Sequence, residues 1–322
     1  MVKRLRLVVM GTGPFAVPML RAALASSHTV AALVTQPARE GRGNRPAPPS
    51  PMRQVALEHG LPIFDPESIN TDEARAALRE FAPDLLLVAD YGQILSNASL
   101  DVAPLGGVNL HGSLLPKYRG AAPINWAIYN GDPETGVTVI QMSSKVDAGA
   151  CLAKAATAID PDENAVELEH RLSELGAPLV MDVVDRLSTG KVEPLPQDPT
   201  LATPARRLRK TDGEVDWNRS ALQIKNQIRA LYAWPRTSTS WLRAAGEPLR
   251  LILCKAEAVD GGTVALPGTV VNASGDDLAV STGDGILLFR EVQPAGKRVM
   301  APGEFLRGYQ VKVGEKFGPA AV

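Results

Sequence analysis

The chain has 322 residues, above the usual size of one domain, so two domains are expected. Hydrophobic residues make up 45% and charged residues 21%, an ordinary globular balance, and a net charge of −1 excludes a uniformly basic nucleic-acid binder. The charge is uneven, though. Residues 1–206 carry 18 Lys and Arg against 23 Asp and Glu, whereas residues 207–322 carry 16 against 12. A basic second half fits a solvated surface or an anionic partner, and the asymmetry alone does not choose between them.

The opening run Leu5–Met10 reads as a buried strand. It is broken by Gly11 and Gly13 and followed by a helical stretch from Phe15 to about Ala25. The run is too short for a signal-peptide core, and no 18-residue apolar stretch exists. Cys151 and Cys254 are the only cysteines and stand far apart, so no disulfide framework or zinc site is expected. A cytoplasmic protein, without metal or membrane partner, is the expectation. Val30–Val34, Leu85–Ala89 and Val108–Leu110 read as further buried strands, with a helical pattern over 71–81 between them. Strands alternating with helices predict a doubly wound, parallel, Rossmann-like α/β sheet. From Asn164 to Leu187 the apolar spacing fits one long amphipathic helix closing this domain, set at residues 1–190.

Lys191–Pro204 holds Pro194, Pro196, Pro199 and Pro204 and reads as an extended linker, with boundaries 191–206. Beyond it come a helix over 221–231 and short β-rich runs at 238–242, 249–256, 268–271, 277–280 and 286–292. Several short strands with Gly, Asp and Asn turns predict a small OB-like barrel over 207–322.

The stretch Gln36–Pro51 is far longer than the ~2–6 residues usual for a strand-to-helix connection. It carries Arg39, Arg42 and Arg45 among Gly and Pro, which suits a polyphosphate partner as well as an idle surface loop. Gly11-Thr-Gly13-Pro-Phe-Ala16 matches a dinucleotide fingerprint after a strand. Two features oppose that reading. The second strand ends in Thr35-Gln36 where a ribose-binding acid should stand, and Pro14 removes an amide donor.

The densest polar feature is Asn109-Leu-His111-Gly-Ser113-Leu114-Leu115-Pro116-Lys-Tyr-Arg-Gly120. Asn109 and His111 are two apart on a strand and so share a face. After another strand (137–142) comes Asp147 in a Val-Asp-Ala-Gly turn, able to reach the same strand ends. No GxSxG, no HExxH and no paired-His spacing accompanies them. Lacking a protein nucleophile, the trio suits transfer to an amine that is already adequate. Asn109 would donate to an oxyanion, His111 would hold charge or pass a proton, and Asp147 would tune it. A buried structural trio is the competing reading.

These residues closely resemble the folate-dependent formyltransferases, whose hallmark is Asn-x-His-x-Ser-Leu-Leu-Pro-x-Tyr-Arg-Gly with a distant Asp. The resemblance implies a catalytic trio of Asn109, His111 and Asp147. It also implies a tetrahydrofolate site lined by Ser113, Leu114, Leu115 and Pro116. The flanks resemble the branch acting on methionyl initiator tRNA: Gly11-Thr12, Phe15-Ala16, Thr35-Gln36-Pro37, Gly41-Arg42-Gly43, Asp216-Trp217, Trp234-Pro235 and Gln293-Pro-Ala-Gly-Lys297. That branch implies a monomer using 10-formyltetrahydrofolate, with Arg42 the loop residue that enters the acceptor-stem region. The alternatives are a nucleotide-sugar formyltransferase, which shares the core, and a catalytically dead RNA-binding protein, against which the intact trio argues. The family has Pro where Gly13 stands and Asp-Thr-Gly-Asp where this chain has Asp147-Ala-Gly-Ala150. It has lysines where this chain has Asn44-Arg45-Pro46.

Overall fold

The computed structural model describes residues 3–38, 49–243, 246–262 and 265–319. The chain divides into two compact units. One comprises residues 1–123, 134–158 and 168–206; the other comprises 124–133, 159–167 and 207–322.

In chain order the elements are β1 (Arg6–Met10), α1 (Val17–Ala25), β2 (Thr29–Val34), α2 (Pro51–Glu58), β3 (Ile63–Phe64), α3 (Asp72–Glu80), β4 (Leu85–Val88), α4 (Asn97–Leu100), β5 (Gly107–His111) and β6 (Arg119–Gly120). There follow α5 (Pro123–Asn130), β7 (Glu134–Gln141), β8 (Cys151–Ala158), α6 (Ala165–Ser188) and β9 (Pro204–Ala205). The first unit holds a seven-stranded sheet in the order β3-β2-β1-β4-β5-β7-β8.

Val8, Met10, Ala32, Val34, Leu86 and Val88 join Ile69 and Leu78 in one core layer. The alternate residues Leu7, Val9, Leu85 and Leu87 are also fully buried. Strands covered on both faces read as continuous apolar runs, as these do. α3 is started by Thr71, whose side chain accepts from Ala74 N, with Asp72 and Glu73 in its first turn and Arg79 in its last.

The sheet is not wholly parallel. β1 to β5 are, but β7 runs antiparallel to both β5 and β8. An apolar run carries no mark of its direction, and β7–β8 form a hairpin rather than a further βαβ unit. Along its length α6 approaches β5 closely. Gly176 makes that possible, since a Cβ there would lie 2.6 Å from Leu110 Cδ2.

The second unit contains α7 (Ala221–Ala230), β10 (Thr237–Leu242), β11 (Leu249–Val259), β12 (Val270–Ser274), β13 (Asp277–Ser281), β14 (Ile286–Pro294), α8 (Pro302–Gly308) and β15 (Lys316–Gly318). Ser220 and Gln223 cap α7 reciprocally, Gln223 N donating to Ser220 Oγ and Ser220 N to Gln223 Oε1. The six strands form an antiparallel sheet in the order β12-β13-β14-β11-β10-β15. Its ends meet: Val270 N donates to Glu315 O at 2.8 Å, and Phe317 N to Gly268 O at 2.7 Å. The sheet curls into a small barrel around Trp217, Leu251, Val270, Leu287, Phe289, Phe305 and Phe317. α8 and β15 have no counterpart in the sequence reading.

The proline-rich stretch after α6 is not a free spacer. Leu195 and Cys151 exchange backbone hydrogen bonds at 2.8 and 2.9 Å, and β9 pairs in parallel with β6. The segment through Arg206 belongs to the first unit. No helix among the described residues is long and apolar enough to cross a membrane.

Candidate active site

Asn109 and His111 end β5 with their side chains on the face opposite Leu110, the residue that meets α6. Gln141, the last residue of β7, is registered with Val108 near the start of β5. The hairpin loop after β7 must therefore double back for Asp147 to reach the trio. It does so: Asn109 Nδ2 donates to Asp147 Oδ1 at 3.5 Å, and Asp147 Oδ2 lies 3.6 Å from His111 Nδ1. Asp147 Oδ2 also accepts the Gly120 N–H at 2.9 Å. The three residues singled out in the sequence thus converge on one carboxylate.

His111 is buried, and its Nε2 lies 2.8 Å from the carbonyl oxygen of Tyr118. A carbonyl only accepts, so Nε2 carries the hydrogen and Nδ1 presents a lone pair on the Asp147 side. Nδ1 faces the Asp147 carboxylate at 3.6 Å. Asn109, half-buried, commits one N–H to Asp147 and keeps a second for an oxygen outside the protein.

Two backbone positions in this constellation are strained. Tyr118 has φ of 62° and Asp147 of 49°, the left-handed region that non-glycine residues avoid. Such outliers persist where surrounding bonds over-determine them, often at functional sites. Tyr118 N donates to Thr203 Oγ1 at 2.9 Å and Arg119 N to Thr203 O at 2.8 Å. Gly120, with φ of 127°, lets the chain pass Ala205, whose carbonyl a Cβ would approach to 2.5 Å.

The segment Ser113–Pro116 divides into two inward and two outward residues. Ser113 is closed to solvent and its hydroxyl donates to Lys117 O at 2.7 Å. Leu115 is buried with Ile140 and Cys151, and its carbonyl accepts from Lys154 Nζ. Leu114 and Pro116 reach the surface. Thr138, unnoticed in the sequence, ties the loop together: its hydroxyl donates to Ser113 O at 2.7 Å and accepts from Leu115 N at 3.0 Å. Arg39, Arg42 and Arg45 lie outside the described residues.

A further acidic pair was missed. Asp90 lies two residues beyond β4, with φ of 45°, exposed overall while its carboxylate packs against Gly13. Desolvation raises its carboxyl above the ordinary range, opposed by a hydrogen bond from the Gly13 N–H. Glu169 of α6 is pushed up to about 6, by desolvation first and by the charge of Asp90 second. A side chain at residue 13 would overlap Asp90 Oδ2. The Gly at this position thus supplies both an N–H and the space for that carboxylate. Among the described residues no group of three His, Cys, Asp or Glu is placed to hold a metal ion.

An Asn-His-Asp cluster beside the end of β5 in a Rossmann-like sheet, in a chain with a second, barrel unit, fits a formyl-transferring enzyme. Residues 3–184 match the family described as formyl transferase, and residues 207–310 match the formyl transferase C-terminal domain. The chain is 42% identical over 316 residues to the methionyl-tRNA formyltransferase of Pelobacter propionicus, covering 98% of this chain and 97% of that one. It is 43% identical over 310 residues to that of Desulfotalea psychrophila, covering 96% and 94%. The chain belongs to the methionyl-tRNA formyltransferase family. An N-formyltransferase of Helicobacter canadensis, solved with folinic acid and dTDP-3-aminofucose, shares the fold at a TM-score of 0.63 and 16% identity, covering 88% of this chain and 98% of that one.

Proposed function

We propose that this chain moves the formyl group of 10-formyltetrahydrofolate to the free amino group of methionyl initiator tRNA, giving N-formylmethionyl-tRNA for translation initiation. The convergence of Asn109, His111 and Asp147 on one another carries the chemical part of this reading. Membership of a family about 42% identical along its length carries the choice of substrates. The sugar-modifying neighbours, at 16% identity, do not favour the nucleotide-sugar alternative.

The attacking group is the neutral α-amine of methionine. Its nitrogen bonds to the formyl carbon, the carbonyl π electrons move to oxygen, and the free N–H of Asn109 holds that oxyanion. The amine then sheds one proton and N10 of the folate gains one as the C–N10 bond breaks. No other atom enters or leaves. His111 is the group placed to carry the proton or oppose the oxyanion, because Tyr118 O and Asp147 fix the orientation of its ring. The donor folate suits the half-buried Leu114 and Pro116 and the backbone of the loop they stand on, with buried Ser113 and Leu115 holding that backbone in place.

Residues 1–190 make up the catalytic domain in this reading, 191–206 the connection, and 207–322 the tRNA-binding barrel, whose excess of basic residues suits a polyanion. Arg39, Arg42 and Arg45 approach the acceptor stem, Arg42 most deeply. The enzyme works as a monomer in the cytoplasm. The test is product analysis: purified protein with 10-formyltetrahydrofolate and either methionyl-tRNA or an amino-sugar nucleotide. Formylmethionyl-tRNA is expected, and formylation of the sugar alone overturns the reading.

A further inference from the structure

Gln197 lies in the middle of the proline-rich stretch that the sequence suggests is a spacer, yet its side chain is committed in full. Its amide nitrogen donates to Asp147 O at 2.8 Å and to Gly149 O at 2.7 Å. Its Oε1 accepts from Arg119 Nε at 3.1 Å and Arg119 Nη2 at 2.8 Å. A glutamine amide has two donors and two acceptor lone pairs, and all four are used here. The orientation is unambiguous, because carbonyls only accept and a guanidinium only donates.

The two carbonyl bonds hold the backbone at and just after the strained residue that carries the trio's carboxylate. Asp147 sits at φ of 49° in a loop whose neighbouring residues 143–146 are exposed. Gln197 grips the carbonyls of 147 and 149, and so holds the turn that aims the Asp147 carboxylate at His111 and at the Gly120 N–H. Arg119, the residue before Gly120, closes the loop by gripping Gln197 in turn. The same strand of chain contributes Thr203, which fixes Tyr118 and through it the tautomer of His111.

We infer that Gln197 is a positioning residue for formyl transfer, acting through Asp147. The segment 195–205 is therefore the back wall of the site as well as a connection. This rests on the trio assigned under the proposed function. A misplacement near 1 Å can cost on the order of 100-fold in rate, so the effect of losing this grip falls between about 10- and 100-fold.

The full-length enzyme is compared with Gln197→Glu, Asp147→Ala and the double variant in steady-state formylation of methionyl-tRNA. Glu keeps the shape and the pairing with Arg119 but turns an oxygen toward two carbonyls. Gln197→Glu should lower kcat by ~10–100-fold with KM for methionyl-tRNA and for folate within ~3-fold. In the Asp147→Ala background it should cost less than about twofold more, since the group it aims is gone. Gln197→Asn, which keeps the amide but falls short of both carbonyls, should behave alike and stands in should the Glu variant not fold. Equal losses in both backgrounds, or no loss in either, overturn the inference while leaving the trio intact. An Asp147→Ala enzyme with normal turnover overturns the trio, and the inference with it.

Discussion

The raised carboxyl of Glu169 makes a stability difference that pH can switch. A carboxylic acid whose folded pKa exceeds its ordinary value favours the fold when protonated. Its contribution is full below the ordinary value of 4.5 and is lost as pH rises through the folded value of about 6. Above that, ionised Glu169 faces desolvation and the charge of Asp90, and the fold carries the cost. The gap of about 1.5 units corresponds to at most about 2 kcal/mol near pH 8, because part of the group is solvated and screened. Near pH 4.5 it amounts to a few tenths of a kcal/mol.

Replacing Glu169 with Gln removes the ionisation and keeps the shape, so the variant should gain stability at pH 8 and almost none at pH 4.5. The natural assay, tryptophan fluorescence, would miss it: Trp126, Trp217, Trp234 and Trp241 all belong to the second unit. Hydrogen exchange of peptides spanning α6 reads the first unit directly, and protection there should rise by up to about 30-fold at the higher pH. A change of the same size at both pH values, or a loss of protection at pH 8, would refute the reasoning.

Asn109→Ala should lower turnover ~10²–10³-fold with an unchanged fold, the scale of one lost oxyanion donor, as read by single-turnover formylation beside circular dichroism. Gly13→Pro should destabilise the first unit by ~1–3 kcal/mol, because it removes the N–H given to Asp90 and crowds the carboxylate. Adding Asp90→Ala should recover most of that loss, as denaturant titration will show. Thr138→Val leaves the buried Leu115 N–H without its acceptor and should cost ~1–3 kcal/mol, with weaker folate binding by equilibrium titration. Affinity for methionyl-tRNA should fall steeply with added salt, whereas folate affinity should change little.

Much of the frame could be read from the residues because its signals are local. The run Leu-Val-Val-Met makes β1 whatever surrounds it, and two residues' spacing puts Asn109 and His111 on one face. The residue types of the Asn-His-Asp set left a buried structural trio open, and the resemblance of the surrounding motif was what singled the three out. What escaped depends on partners distant in sequence. Nothing in Val137–Met142 tells a strand its direction, so the antiparallel hairpin, and with it the doubling back of Asp147, was invisible. β15 is three residues long, too short for any period to show. Gln197 meets Asp147 across fifty positions, and prolines on its flank suggest a plain spacer. Asp90 drew no notice in the sequence, because Gly13 and Glu169 meet it only in the folded chain.

The strap formed by residues 195–205 bears on how this protein can be divided. A scissor placed at the first prolines, near Lys191, would sever Gln197, Thr203 and Ala205 from the loops they hold, and the remaining fragment would keep every residue of the trio but none of its backing. A cut after Arg206 would keep the strap with the trio, while leaving residues 124–133 and 159–167 without the rest of their own unit. Exchange of the barrel, whether by recombination or in the laboratory, thus needs a junction beyond the strap, and a transplanted barrel must also find partners for residues 124–133 and 159–167, which belong to its unit.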